Sequence, residues 1–220
     1  MSVLDEQKRY YAARAPEYDD WWFRRGRYAL GPEARARWDA DVAEVERMLA
    51  GFGAGGSVLE LAAGTGLWTR RLVRTAERLV AVDASAETLA INEARVESGV
   101  EYVIADLFDW RPVEQYDVVF FGFWLSHVPM ECFEGFWRLV RLALRPGGRV
   151  FLVDSGAGDA VHSGLPSAER ERRRLADGRE FTIVKRRWDP EALATAVRPL
   201  GFQLDLRSTA HDYFLFGGGA

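Results

Sequence analysis

Short apolar runs recur along the chain, and each stops at a carboxylate or a glycine. Val58-Leu59-Glu60-Leu61, Leu79-Val80-Ala81-Val82-Asp83, the stretch from Val100 to Ile104, Val118-Val119-Phe120-Phe121-Gly122 and Val150-Phe151-Leu152-Val153 each have the length of a buried strand. Between them lie amphipathic stretches that predict helices over residues 67–76, 85–98 and 131–144. Ser85 stands where an N-cap belongs and Gly99 where a helix must stop. Strands alternating with helices of this size predict a parallel sheet covered on both faces.

The flanks add to this frame. Residues 33–49 place Trp38, Val42, Val45, Met48 and Leu49 on one face, which predicts a helix packed on the sheet. Residues 166–176 carry Glu169, Glu171 and four arginines from Arg170 to Arg174, the pattern of a solvated helix face with i,i+4 ion pairs. Residues 179–188 predict a further strand, 190–200 a helix closed by Gly201, and 202–207 with 213–216 two last strands. Their link is so short that they must be antiparallel neighbours.

Candidate chemistry gathers at the carboxyl ends of the strands. In Glu60-Leu61-Ala62-Ala63-Gly64-Thr65-Gly66 the glycines permit positive φ and let a ligand approach bare backbone. A Gly-rich turn also serves plain strand–helix packing. Asp83, which ends the next strand roughly 20 residues on, stands at the spacing where a carboxylate accepts both ribose hydroxyls of a nucleoside lying across the turn. Turn and carboxylate together predict a nucleoside site.

These residues resemble the class I S-adenosylmethionine-dependent methyltransferases. Glu60 to Gly66 is similar to their first motif and Asp83 to the acid ending the second strand. Ala105-Asp106-Leu107 resembles the turn that holds adenine, Tyr116 to Gly122 the fourth strand, and Leu144 to Val153 the turn and strand that follow. Ala62 stands where the family most often has glycine, which is tolerable if φ there is negative.

The resemblance implies a Rossmann-like, doubly wound α/β fold. It has a seven-stranded, mostly parallel sheet with a C-terminal antiparallel hairpin and an N-terminal helical cap. It also implies S-adenosylmethionine as cofactor, held by Tyr18, Glu60, Ala62, Gly64, Gly66, Trp68, Asp83, Ala84, Asp106, Leu107, Phe121 and Gly122. The expected activity is methyl transfer to oxygen, nitrogen or carbon of a small molecule. His127 is the imidazole placed to act as general base, and local packing is its other reading. Gly122-Phe123-Trp124 replaces the Asn- or Asp-Pro-Pro-aromatic pattern of enzymes that methylate nucleic-acid bases.

Composition narrows the rest. The chain has 220 residues, 48% hydrophobic and 28% charged, enough for one domain. Residues 1–50 read as a cap or lid and residues 51–220 as the core. The aromatic stretch Tyr18-Asp19-Asp20-Trp21-Trp22 is either a packing anchor or part of that lid. A net charge of −4 gives no footprint for nucleic acid, and no apolar run reaches the roughly 18 residues of a membrane span. The single cysteine, Cys132, and the polar N-terminus fit a cytoplasmic protein. His127, His162 and His211 lack metal-ligand spacing. Monomer and homodimer are both open. Two other functions share the turn and carboxylate: an NAD-dependent oxidoreductase and a non-catalytic nucleoside-binding module of the same fold.

Overall fold

The computed structural model describes residues 2–157 and 169–220. A seven-stranded sheet runs in the order β3-β2-β1-β4-β5-β9-β8. Its members are β1 (Ser57–Leu61), β2 (Arg78–Asp83), β3 (Val100–Ile104), β4 (Tyr116–Gly122), β5 (Leu144–Ser155), β8 (Leu204–Ser208) and β9 (Phe214–Gly219). The first five strands are parallel neighbours, and β9 enters antiparallel between β5 and β8. The chain reverses strand order after β3, so β1 and β4 part at their carboxyl ends and leave a crevice there.

Alternation within the central strands assigns the two faces. Val58, Val118, Phe120 and Phe151 point to the side covered by α3 (Pro32–Phe52). Leu59, Leu61, Val119 and Phe121 point to the side covered by α6 (Met130–Ala143) and α7 (Pro190–Val197). Full burial of each such side chain is worth about 1.5–3 kcal/mol. Helix α5 (Ala86–Arg95) starts as its sequence predicts, with the Ser85 hydroxyl accepting from the Thr88 amide. Among the described residues no helix is long and apolar enough to cross a membrane.

Two expectations need correction. The helix predicted over 67–76 contracts to α4 (Thr69–Leu72), because bonds such as Arg71 N to Trp68 O at 2.8 Å close i→i+3 turns around a single helical turn. The charged run is a strand, β6 (Arg170–Arg174), paired antiparallel with β7 (Glu180–Val184) outside the main sheet; residues 166–168 lie outside the described residues. Its charges pair across the hairpin, Arg172 with Glu180 at 2.6 Å, and inward, Glu171 with Arg173 at 2.5 Å and Arg187 at 3.1 Å. The loop read over 156–164 falls mostly outside the described residues.

The N-terminal residues form α1 (Val3–Arg14), a 3₁₀ turn, and α2 (Tyr18–Trp22). Helix α1 packs on the hairpin through Tyr10, whose ring lies 5.6 Å from that of Phe181, with Leu175 and Ile183 beside them. Trp22 and Trp38 are buried against Phe123 and Phe214, so this part of the aromatic stretch is an anchor. Helix α1 and the hairpin thereby sit over the crevice.

Candidate active site

The turn after β1 carries positive φ at Ala62 (53°), Gly64 (54°) and Gly66 (85°). Ala62 therefore does not meet the condition of negative φ under which its methyl group is unstrained, and it holds a conformation that costs an L-residue about 1 kcal/mol or more. The two glycines serve different needs. A Cβ on Gly64 would meet nothing nearer than 4.0 Å, so the space beside it is open to a ligand. A Cβ on Gly66 would lie 2.5 Å from Asn92 Oδ1, so that glycine lets α5 pack against the turn.

Asp83 locks this turn in place. Its carboxylate accepts from the amides of Gly64 and Ser85, both at 2.9 Å, and from the Thr88 hydroxyl at 3.3 Å. Burial nevertheless pushes its pKa above the usual carboxylate value. A cavity of about 300 Å³ opens between this edge and α1. Tyr18, Ala62, Gly64, Asp83, Ala84, Asp106, Leu107 and Gly122 line it, with His127. Asp106 accepts from the Phe108 amide at 3.1 Å and pairs with Lys8 of α1.

Four residues expected at the site stand back from the cavity wall. Glu60 is 2% exposed beneath the turn, where it meets the Thr69 hydroxyl, and burial raises it to about 8. Gly66 faces α5. Trp68 is buried between Trp22 and Phe120, with both ring centroids 5.6 Å away. Phe121 packs edge-on against Phe136 at 5.1 Å on the other face of the sheet. In strands and turns buried on both sides, hydrophobic character alone does not say which side chain reaches the ligand.

A second cavity, also about 300 Å³, adjoins the first. Tyr11, Tyr18, Phe123 and His127 line both. Six cations share the rest of its wall with Tyr10, Trp21, Tyr28, Ser155 and Ile183: Arg14, Arg24 and Arg27 from the N-terminal segment, and Arg173, Lys185 and Arg187 from the hairpin and its exit. Lys185 donates to Ser126 Oγ and Ser155 Oγ, each at 2.9 Å, and lies 3.9 Å from Asp154. The Arg14 guanidinium lies 4.9 Å above the Tyr18 ring and 5.6 Å from that of Tyr10. Its buried Nε has no hydrogen-bond partner among the described residues.

None of these cations belongs to a family motif. The only local signal for α1 was the spacing of Gln7, Tyr10, Tyr11 and Arg14, which fall on one helical face.

His127 is not free to take a proton from an acceptor. Its Nδ1 lies 2.7 Å from the Val184 carbonyl and its Nε2 2.8 Å from the Tyr11 hydroxyl. Burial and the neighbouring Lys185 hold its pKa well below the ordinary value, so the ring is neutral with both nitrogens engaged. Gln7 completes the cluster, donating to the His127 carbonyl at 3.0 Å and accepting from the Val184 amide at 2.9 Å. In this arrangement His127 links α1, β7 and the loop after β4.

A family profile described as "Methyltransferase domain" matches residues 58–148, from β1 to the start of β5. A demethylmenaquinone methyltransferase of Clavibacter sepedonicus is 35% identical over 104 residues, 46% of this chain and 42% of the relative; the chain thus matches less than half the length of that curated relative. The solved DhpI–SAH complex is 37% identical with a TM-score of 0.80, covering 99% of this chain and 96% of DhpI. The DhpI–SAM–HEP complex gives 37% identity and a TM-score of 0.82, covering 99% and 97%. The N-methyltransferase NodS of Bradyrhizobium japonicum, bound to S-adenosylhomocysteine, shares the fold at 15% identity and a TM-score of 0.66 over 96% of this chain and 97% of its own.

The first cavity fits the cofactor these relatives carry. It has carboxylates for hydroxyl and amine groups at Asp83 and Asp106, apolar walls for a flat ring at Ala84, Leu107 and Phe108, and open backbone at Gly64. Sheet order, turn geometry and near full-length similarity to DhpI agree: this chain belongs to the class I S-adenosylmethionine-dependent methyltransferases, and S-adenosylmethionine is its cofactor.

Proposed function

We propose that the enzyme methylates an oxygen of a small anionic acceptor held in the second cavity, with the cofactor in the first. The observation that carries this reading is Arg14, a guanidinium on the cavity wall with no acidic partner among the described residues. It stands among five further cations on a wall where no described carboxylate lies. Glu17 pairs with Arg27 at 3.5 Å, Glu171 with Arg173 and Arg187, and Asp154 approaches Lys185, all from behind that wall. A guanidinium so placed, among other cations on the same wall, is a charge that an anion from solution would offset. The relative DhpI has been solved with SAM and a second compound, HEP, in one complex, which supports a place for an acceptor beside the cofactor.

The bound cofactor supplies an electrophilic methyl group: an acceptor oxygen forms the C–O bond while the C–S bond breaks and its electrons stay on sulfur. An oxyanion needs no proton removed, which agrees with a His127 already committed to the protein. The protein's part is to orient and to exclude water. Arg14 and its neighbours hold the anion, Asp83 and the turn hold the nucleoside, and α1 with α2 cover both.

The test is a panel of carboxylic, sulfonic, phosphoric and phosphonic acids beside neutral phenols and amines, with methylated product read by mass spectrometry. Acids are expected to turn over. Arg14→Gln should raise the acceptor KM by about tenfold or more, the loss of one charge-assisted contact, and leave S-adenosylhomocysteine affinity within about twofold. Methylation of neutral acceptors alone, or an Arg14→Gln enzyme with unchanged KM for its acid, would overturn the reading.

A further inference from the structure

The wall shared by the two cavities contains a hydrogen bond with a fixed direction. A carbonyl oxygen only accepts, so His127 Nδ1, 2.7 Å from Val184 O, carries the ring proton. In the neutral ring Nε2 is then the acceptor, and the Tyr11 hydroxyl, 2.8 Å from it and 3.3 Å from the protonated Nδ1, donates to Nε2. Burial keeps Tyr11 a phenol, with a pKa well above the ordinary value. Its hydrogen is therefore turned toward the imidazole, and the oxygen's lone pairs are what it can offer to the junction of the cavities.

That junction presents an electrostatic problem. The methyl donor is a sulfonium cation, and the adjoining wall is crowded with arginine and lysine. The spent cofactor is a neutral thioether. A lone pair directed at the junction attracts the first and is nearly indifferent to the second, and C–H groups polarised by a positive sulfur are weak hydrogen-bond donors.

We propose that Tyr11 is a catalytic residue that recognises the charge of the methyl donor, and that His127 is a positioning residue that fixes the Tyr11 hydroxyl for this purpose. The proposal rests on the first cavity holding the cofactor, as above, and not on the nature of the acceptor. It gives the enzyme a means of preferring loaded over spent cofactor at the point where methyl transfer occurs.

The experiment is calorimetric titration of the full chain with S-adenosylmethionine and, separately, S-adenosylhomocysteine, with no acceptor present. Tyr11→Phe keeps the ring and removes only the oxygen. It should weaken S-adenosylmethionine about two- to fivefold, the worth of one or two weak C–H contacts, and leave S-adenosylhomocysteine unchanged. His127→Ala should shift the ratio of the two affinities by a similar factor, and the double variant no further than either single one. Equal weakening of both ligands by Tyr11→Phe, or of neither, would overturn the role of Tyr11. A His127→Ala ratio equal to wild type would overturn that of His127.

Should His127→Ala not fold, His127→Gln replaces it, and ¹⁵N resonances of the imidazole decide independently. Wild type is expected as the Nδ1–H tautomer, with an Nε2 signal that moves in Tyr11→Phe. An Nε2–H tautomer would end the proposal. Because no acceptor enters any of these measurements, failure of the anionic-acceptor reading would leave them untouched.

Discussion

Glu60→Gln should make this enzyme more stable, and by an amount that depends on pH. Glu60 lies beneath the glycine turn, 2% exposed, with one oxygen lacking any partner, and its pKa is raised from 4.5 to about 8, chiefly by burial. Below pH 4.5 the carboxyl is protonated in folded and unfolded chains alike. As pH rises, the unfolded chain ionises first while the folded one holds its proton, so stability falls from about pH 4.5 until the folded group itself ionises near pH 8. The gap between those two values, at ~1.4 kcal/mol per pH unit, sets a ceiling of roughly 5 kcal/mol.

A glutamine does not titrate, but its amide group inherits the unpartnered position, at about 1–3 kcal/mol. The net advantage of the variant at pH 8 is thus roughly 2–4 kcal/mol, or about 4–16 °C in Tm for a chain of this size. Thermal melts of both proteins from pH 5 to 8.5 measure it, since every other titrating group cancels in the difference. A difference constant in pH, or one that shrinks as pH rises, would refute the placement of Glu60 as a buried, unpaired acid. Buried carboxyls of this kind concentrate where a ligand's charge completes them, and the stability lost at Glu60 has the character of a functional site.

Ala62→Gly removes a Cβ from a residue at φ 53°; relief of that strain, less the added freedom of the unfolded chain, should stabilise by about 0.5–1 kcal/mol, read as an increase in Tm of about 1–4 °C. A decrease would show that the methyl group packs usefully. Asp41, fully buried on α3, accepts from Thr209 Oγ1 at 2.5 Å, from His211 Nδ1 at 2.7 Å and from the Tyr213 amide at 3.3 Å. Asp41→Ala should therefore cost about 3–5 kcal/mol in urea denaturation, and a loss below about 1 kcal/mol would mean that the turn between β8 and β9 satisfies itself.

What could be read from sequence was local chemistry. The glycine turn, the acid ending β2 and the cap at Ser85 each declare themselves within a few residues, because φ, strand length and capping are decided by near neighbours. What could not be read depends on partners distant in the chain. The run from Arg170 to Arg174 has helical and strand readings of equal merit until Glu180 and Arg187 are known to stand beside it. Trp68 and Phe121 look like ligand contacts because they adjoin the motifs, yet each turns into the core. The cations of the second cavity come from two segments over 140 residues apart, between Arg27 and Arg173, so no motif could join them. His127 was visible as a histidine in the right place, but its two partners, the Val184 carbonyl and the Tyr11 hydroxyl, lie far from it in the chain.

The two cavities differ in charge as well as in shape, and the difference bears on turnover. Asp83, Glu87 and Asp106 stand on the wall of the first beside Lys8 and Arg9, whereas five arginines and a lysine stand on the wall of the second with no described carboxylate among them. On the proposal that the acceptor is an anion, it is drawn to the second cavity and meets the donor at the wall of Tyr11, Tyr18, Phe123 and His127 that the two cavities share. Methyl transfer to such an acceptor would remove one positive charge from the donor and one negative charge from the acceptor together. Both products then bind the walls less strongly than the substrates did, so the same electrostatics that assembles the pair weakens its hold once the reaction is over. An acceptor that is already an oxyanion has little need of a proton relay.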